Sequence, residues 1–232
     1  MLGQMTKKPI FDARAASNYD QGMLQRVPGY ALAQELAAAL LCSTLPGPAH
    51  LLIVGAGTGA EILSLAHANP LWRFTALDIS QDMLDVARQR LVEAGIAERV
   101  DFVCAPMQAA PDLPMHDAGM MQLVGQFISH PDKPEFYAAI SRALRPDALL
   151  LSLDYRPDLS IGTPALMQWA RKAGASDAAV AMMESRITQD WHIPQEAALA
   201  ICWDNAGLQQ QGRYMQALAY VGTVLRKEYK ES

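Results

Sequence analysis

The chain has 232 residues, 51% of them hydrophobic and 19% charged, with a mean hydropathy of +0.03, a composition that supports a globular core and argues against disorder. Nineteen Lys and Arg against 24 Asp and Glu give a formal net charge of -5 and a pI near 5.5, so no overall positive field exists to gather phosphates and nucleic acid is not an expected partner. No apolar run approaches the roughly 18 residues of a membrane span and "MLGQMTKKPIFDARAAS" is too polar for a signal peptide, so no membrane association and a cytoplasmic location are expected.

Length favours one domain with attachments: a helical leader or lid over residues 1–48, then a main domain over 49–232. Residues 10–28 read as an irregular or short helical leader. "GYALAQELAAALLCS" (29–43) puts Leu32, Leu36 and Leu40 at helical spacing before "LPGP" stops it. Strand-like "HLLIVGA" follows, and strands then alternate with helices: "RFTALDI" (73–79), "SQDMLDVARQRLVEAG" (80–95), "RVDFVCA" (99–105), "AGMMQLVG" (118–125), "KPEFYAAISRALRP" (133–146) and "ALLLSLDY" (148–155). Such alternation predicts a parallel sheet covered on both faces. The helix at 80–95 is the best marked, with Ser80 as N-cap, Met83, Leu84, Ala87 and Leu91 as its buried stripe, and Gly95 past its end.

After Tyr155 two helical segments follow without a strand between them, which predicts a helical insertion at about 156–193. "PQEAALAICWDNAG" (194–207) is a further helix with Pro194 near its first turn and Gly207 at its stop. "LQQQGRYMQALAYVGTVLRK" (208–227) reads as two strands. Cys42, Cys104 and Cys202 lie far apart with no metal-ligand spacing, so reduced thiols and no metal site are expected.

The stretch "LLIVGAGTGAEILSLA" (51–66) carries the chemistry. In a parallel sheet the ligand crevice lies beyond the carboxyl ends of the strands, and a glycine-rich first turn lets backbone and ligand approach closely. Gly55, Gly57 and Gly59 make that turn. Asp78, ending the second strand, is placed to accept hydrogen bonds from ribose hydroxyls, so a nucleoside-containing ligand is expected. "GAGTGA" also satisfies the dinucleotide pattern, but Glu61 after the third glycine would repel a pyrophosphate and tolerate a cationic sulfonium.

Residues 50–155 resemble the class I S-adenosylmethionine-dependent methyltransferases, through "GAGTGAE", "ALDIS" followed by "DMLDVAR", "VDFVCAPMQ" and the strand after "LRPDALLLS". The resemblance implies a three-layer, Rossmann-like α/β fold with a seven-stranded sheet, mostly parallel with a reversed last strand. It implies S-adenosyl-L-methionine as cofactor, with Gly55, Ala56 and Gly57 at its methionine part, Asp78 on the ribose and Ile79 against the adenine. Met107 and Gln108 would flank the adenine, and Gln122 and Leu123 would face the sulfur end. Pro106 departs from the acidic residue many relatives carry there. The leader "YDQGMLQRVPGYALAQ" is similar to that of the carboxy-S-adenosylmethionine synthase family, in which the tyrosine matching Tyr30 reaches the cofactor. That family binds the extra carboxylate with an arginine in the insertion, whose place here falls near Met182 or Met183, with Arg186 close but off register.

The expected activity is therefore methyl transfer to a small-molecule acceptor by in-line displacement, in which alignment in a dry pocket is the main requirement. If the acceptor carries a proton, His130, His192 or Asp154 could take it. His50, His67 and His116 are expected at the surface. Tyr19 and Arg26 could close over the cofactor, and Met167, Trp169, Met182, Met183 and Trp191 could roof an acceptor, although core packing accounts for such residues more readily. The alternatives are a carboxy-S-adenosylmethionine synthase-like enzyme and a non-catalytic S-adenosylmethionine-binding partner protein. Association as a homodimer stays open.

Overall fold

The computed structural model describes residues 19–156 and 162–229. The first part of the expected leader and the first residues of the expected insertion lie outside them. The seven strands are β1 (Ala49–Val54), β2 (Trp72–Asp78), β3 (Val100–Cys104), β4 (His116–Gln122), β5 (Leu144–Tyr155), β6 (Leu208–Ala217) and β7 (Tyr220–Lys227). They form one sheet in the order β3-β2-β1-β4-β5-β7-β6, in which β7 runs antiparallel to both of its neighbours. The pairs β1–β2, β1–β4, β2–β3 and β4–β5 are parallel. This is the expected α/β sheet with its reversed last strand.

The central strands are continuous apolar runs because both faces are covered. On one face Leu51 and Ile53 of β1 pack with Leu41 of α2 (Tyr30–Thr44), Ile62 and Leu65 of α3 (Ala60–Ala68) and Leu84 of α4 (Gln81–Glu93). On the other, Leu52 and Val54 meet Phe136 and Ile140 of α5 (Lys133–Arg142) and Trp203 of α8 (Glu196–Asn205). The α4 stripe is the predicted one, and Ser80 Oγ caps the helix by accepting from the Met83 amide at 3.3 Å.

Three local expectations are corrected. The buried stripe of α2 is Tyr30, Ala33, Ala37 and Leu41, while Leu32 is half exposed; small alanines let the helix lie close to its neighbours, and the leucines flank the contact. The helix expected to reach residue 146 ends at Arg142, because Leu144 already pairs with His116 as the start of β5. His116 is fully buried, not at the surface. Its Nδ1 lies 2.9 Å from Ala143 O and its Nε2 2.9 Å from Thr75 Oγ1, which in turn meets His50 Nε2 at 3.0 Å. Burial pushes the His116 imidazole down to about 4.

The insertion folds as α6 (Gly162–Lys172), α7 (Asp177–Ser185) and a π turn over Arg186–Asp190. Leu166, Met167, Val180 and Met183 pack with Met23 and Val27 from α1 (Tyr19–Arg26) and its following turn, and with Tyr155 and Tyr220 from the sheet. Met167 and Met183 are thus core residues, and Met182 is exposed. No helix among the described residues is long and apolar enough to cross a membrane.

Candidate active site

The chain leaves β1 through the glycine turn, which folds back onto β2: the Gly55 and Ala56 amides both donate to Leu77 O, at 2.8 and 2.9 Å. Gly55 and Gly57 have φ of 70° and 52°, in the left-handed region that side chains avoid. A Cβ at Gly55 would stand 2.3 Å from Val124 Cγ2, so glycine is required there for space as well as for φ. Ala56 is fully buried beneath the turn.

Asp78 closes the turn from the β2 side. Its Oδ2 accepts from the Gly57 amide at 2.8 Å and its Oδ1 from the Ser80 amide at 2.9 Å. Burial raises its pKa, and those backbone amides work against the rise. The carboxylate is therefore fixed in direction and retains free lone pairs on the crevice side.

Gly55, Gly57, Asp78, Ile79, Met107, Gln108, Gln122 and Leu123 all line one crevice of about 760 Å3, its open mouth included, beyond the carboxyl ends of β1, β2 and β4. Ile79 is 68% exposed at the edge, an apolar side chain facing the opening. Gln122 is buried, yet neither its Nε2 nor its Oε1 has a hydrogen-bond partner. Leu123 has a φ of 59°, an uncommon conformation for a leucine, held by its amide donating to Leu153 O at 2.7 Å. This bend turns the chain at the end of β4 and begins the crevice wall formed by Val124, Phe127 and Ile128.

Tyr30 does not reach the crevice. Its hydroxyl donates to Glu61 Oε1 at 2.9 Å, and Tyr19 from α1 lines the crevice instead. Glu61 is buried against Tyr30, and burial pushes its carboxyl up to about 7. It does not line the crevice, so the expected repulsion of a pyrophosphate has less force than the sequence implied. The leader is fastened by Asp20, which sequence reasoning missed. Its Oδ1 accepts from Thr58 Oγ1 at 2.6 Å, and its Oδ2 pairs with Arg90 at 2.5 Å. Arg90 also donates to Thr58 O at 3.1 Å, so α1, the glycine turn and α4 share one polar knot.

His130 and His192 are brought together, ring centroids 5.8 Å apart and nearly perpendicular, but neither lines the crevice. The His192 amide donates to Gln126 O at 2.8 Å, which sets it outside the wall. Asp154 is buried behind the same wall, away from any acceptor in the crevice. The apolar wall residues Phe127, Ile128 and Phe136 were also missed; the only signal was their density in "GQFISHPDKPEF". Among the described residues no three His, Cys, Asp or Glu gather to hold a metal ion.

Sheet order, glycine turn and crevice together define the class I methyltransferase fold. Comparison with known proteins agrees: a family model described as a methyltransferase domain matches residues 51–147. A carboxy-S-adenosyl-L-methionine synthase of Campylobacter hominis is 26% identical over 148 residues, 64% of this chain and 62% of that protein; one of Campylobacter lari is 31% identical over 107 residues, 44% of this chain and 45% of that protein. The chain thus spans less than two thirds of the length of these relatives. Among solved structures, the 1,6-didemethyltoxoflavin-N1-methyltransferase of Burkholderia thailandensis, bound to 1,6-didemethyltoxoflavin and S-adenosylhomocysteine, superposes with a TM-score of 0.63 at 20% identity, covering 94% of this chain and 87% of that one. An O-methyltransferase family protein from the same organism gives a TM-score of 0.69 at 18% identity, over 95% of this chain and 61% of that one.

Proposed function

We propose that the protein is a methyltransferase that uses S-adenosyl-L-methionine to methylate a small-molecule acceptor. The observation that carries this reading is the pairing, across one crevice, of the oriented Asp78 carboxylate with the buried and unpartnered amide of Gln122. The residues fit the group. A carboxylate with free lone pairs matches ribose hydroxyls, and an amide offering both donor and acceptor matches an amino-acid tail. An edge of Ile79 and Met107 matches an adenine.

When bound, the cofactor supplies an electrophilic methyl group on a sulfonium. The chain then has to align and to exclude water. Gly55 and Gly57 bring backbone against the ligand, Leu123 and Phe127 form an apolar wall, and Tyr19 closes the leader side with Asp20 holding α1 in place. In this reading the proton of the acceptor is not routed through His130 and His192, which stand outside the wall. The acidic balance of the chain favours a small molecule over a nucleic acid as acceptor.

A second reading, carboxy-S-adenosylmethionine synthesis, is supported by the curated relatives and by one feature of the structure. Arg186, in the π turn, lies near enough to Arg26 that, after burial and Tyr19, it bears on the Arg26 guanidinium, whose pKa is lowered. Arg26 beside Tyr19, with Arg186 within electrostatic reach of it, suits a carboxylate. Mass spectrometry of the ligand that copurifies separates the readings: S-adenosylmethionine or S-adenosylhomocysteine is expected, and a carboxylated form would establish the second. Calorimetric titration tests the first directly. S-adenosylhomocysteine should bind and NAD should not; binding of NAD alone would refute both.

A further inference from the structure

Behind the crevice wall lies a second, much smaller space. It is bounded by the Gly125–Phe127 turn, the start of α5, the end of β5 and the Ile193–Pro194 segment that leads into α8. Methyl transfer makes no use of it, and its contents do not depend on which cofactor the crevice takes.

Three polar side chains bordering this space, Gln126, Asp154 and Arg156, are each 5% exposed. Gln126 Oε1, both carboxylate oxygens of Asp154 and Arg156 Nε have no hydrogen-bond partner. Ser152 Oγ, fully buried and also without a partner, stands close enough to Asp154 to lower its pKa, whereas the two cations are partly engaged. Lys133, 2% exposed, donates from Nζ to Gly125 O at 2.7 Å and to Ile128 O at 2.5 Å, which leaves one of its three protons. Arg156 donates from Nη2 to Thr223 Oγ1 at 3.2 Å, and its guanidinium lies 5.0 Å over the Trp203 ring.

Asp154 is thus a buried carboxyl group with two cations near it and a hydrogen bond to neither. Buried charges are tolerated only when their attraction and their hydrogen bonds are both realised. The space between the groups has room for about one water molecule and no organic group. A water molecule donates twice and accepts twice, which is the complement of this set. The Asp154 and Gln126 oxygens can only accept, and the Arg156 and Lys133 protons can only donate.

We propose that this cavity is a bound-water site, in which one water bridges the Asp154 carboxyl group to the Arg156 guanidinium and the Gln126 amide. The bridge joins the end of β5 to the turn that forms the back of the crevice wall. A Cβ at Gly125 would stand 2.7 Å from Asp154 Oδ1, so the turn is seated directly on that carboxyl. The segment carrying Trp191 and His192 hangs from the same place, through the His192 amide and Gln126 O.

A crystal structure of the full chain, at a resolution that shows ordered water, is the test. It should show one water within hydrogen-bonding distance of an Asp154 oxygen, Arg156 Nε and Gln126 Oε1. In solution the Gly125 and Gln126 amide protons should show cross-relaxation to a long-lived water. Gln126→Leu, which replaces the acceptor with an apolar group of similar size, should abolish both signals. An empty cavity in the wild-type crystal, or Asp154 in direct contact with Arg156, overturns the proposal. So does the absence of water cross-relaxation in the wild-type protein, a measurement that does not require the variant to fold.

Discussion

Glu61→Gln is predicted to change the sign of its effect on stability with pH. Glu61 is 8% exposed in the first turn of α3, with one oxygen receiving the Tyr30 hydroxyl. Burial raises its carboxyl from the ordinary 4.5 to about 7, against the opposing hydrogen bond from Tyr30. A carboxyl whose folded pKa is raised contributes fully below its unfolded value, and the contribution is lost as the pH climbs through the folded value. Ionising Glu61 in place therefore costs on the order of 3 kcal/mol by pH 8. His116 works in the opposite sense. Its imidazole falls from 6.5 to about 4, so the fold loses a similar amount as the pH drops through that window. In the wild type the two opposed slopes overlap and flatten the profile between about 4.5 and 6.5. The glutamine keeps an acceptor for Tyr30 but buries an extra amide donor, at a cost of about 1 kcal/mol. Urea denaturation should find the variant slightly less stable at pH 5 and about 2 kcal/mol more stable at pH 8. Between about pH 4.5 and 6.5 stability in the variant should rise more steeply with pH than in the wild type, because the Glu61 slope that opposes the histidine is gone. Equal destabilisation at both pH values would refute the placement of a neutral-poised carboxyl at Glu61.

Asp78→Ala should weaken S-adenosylhomocysteine binding by on the order of 1.5 to 3 kcal/mol, read by calorimetry, with some loss of stability from the two released amides; unchanged affinity would count against the ribose assignment. Gly55→Ala combines a left-handed φ with a 2.3 Å contact on Val124, so denaturant titration should show a loss of about 2 kcal/mol or more, while Gly95→Ala, with open space around it, should show only the backbone part. Asp20→Ala removes contacts to Thr58 and Arg90 that are about a third exposed; global stability should fall by about 1 kcal/mol or less, and stopped-flow measurements should show faster ligand dissociation as α1 loosens. Dissociation unchanged in that variant would mean that the leader does not cover the ligand.

The elements easiest to read in the sequence were those whose local and long-range demands coincide. β1, the glycine turn and Asp78 announce themselves because a strand buried on both faces, a left-handed turn and a strand-ending carboxylate each leave their own residue types. α4 was legible for the same reason, with cap, stripe and stop all in register. α2 misled because leucines outweigh alanines in a hydrophobic pattern, whereas close packing selected Ala33 and Ala37. Tyr30 was a plausible cofactor contact and Glu61 a plausible bar to a pyrophosphate in isolation; that they satisfy one another across 31 positions is a tertiary fact with no periodic trace. The Asp20, Thr58 and Arg90 knot was invisible for the same reason, joining three segments by side chains of ordinary surface type. His116 looked like a surface residue because its two partners, Ala143 O and Thr75 Oγ1, come from elements brought together only by the sheet order.

A crystal structure of the protein with S-adenosylhomocysteine tests the central claim most directly. The ribose hydroxyls should meet Asp78, the adenine should lie between Ile79 and Met107, and the amino-acid tail should reach the Gln122 amide. A crevice that stays empty at saturating ligand, or one that takes NAD with its pyrophosphate over the Gly55–Gly59 turn, would contradict it.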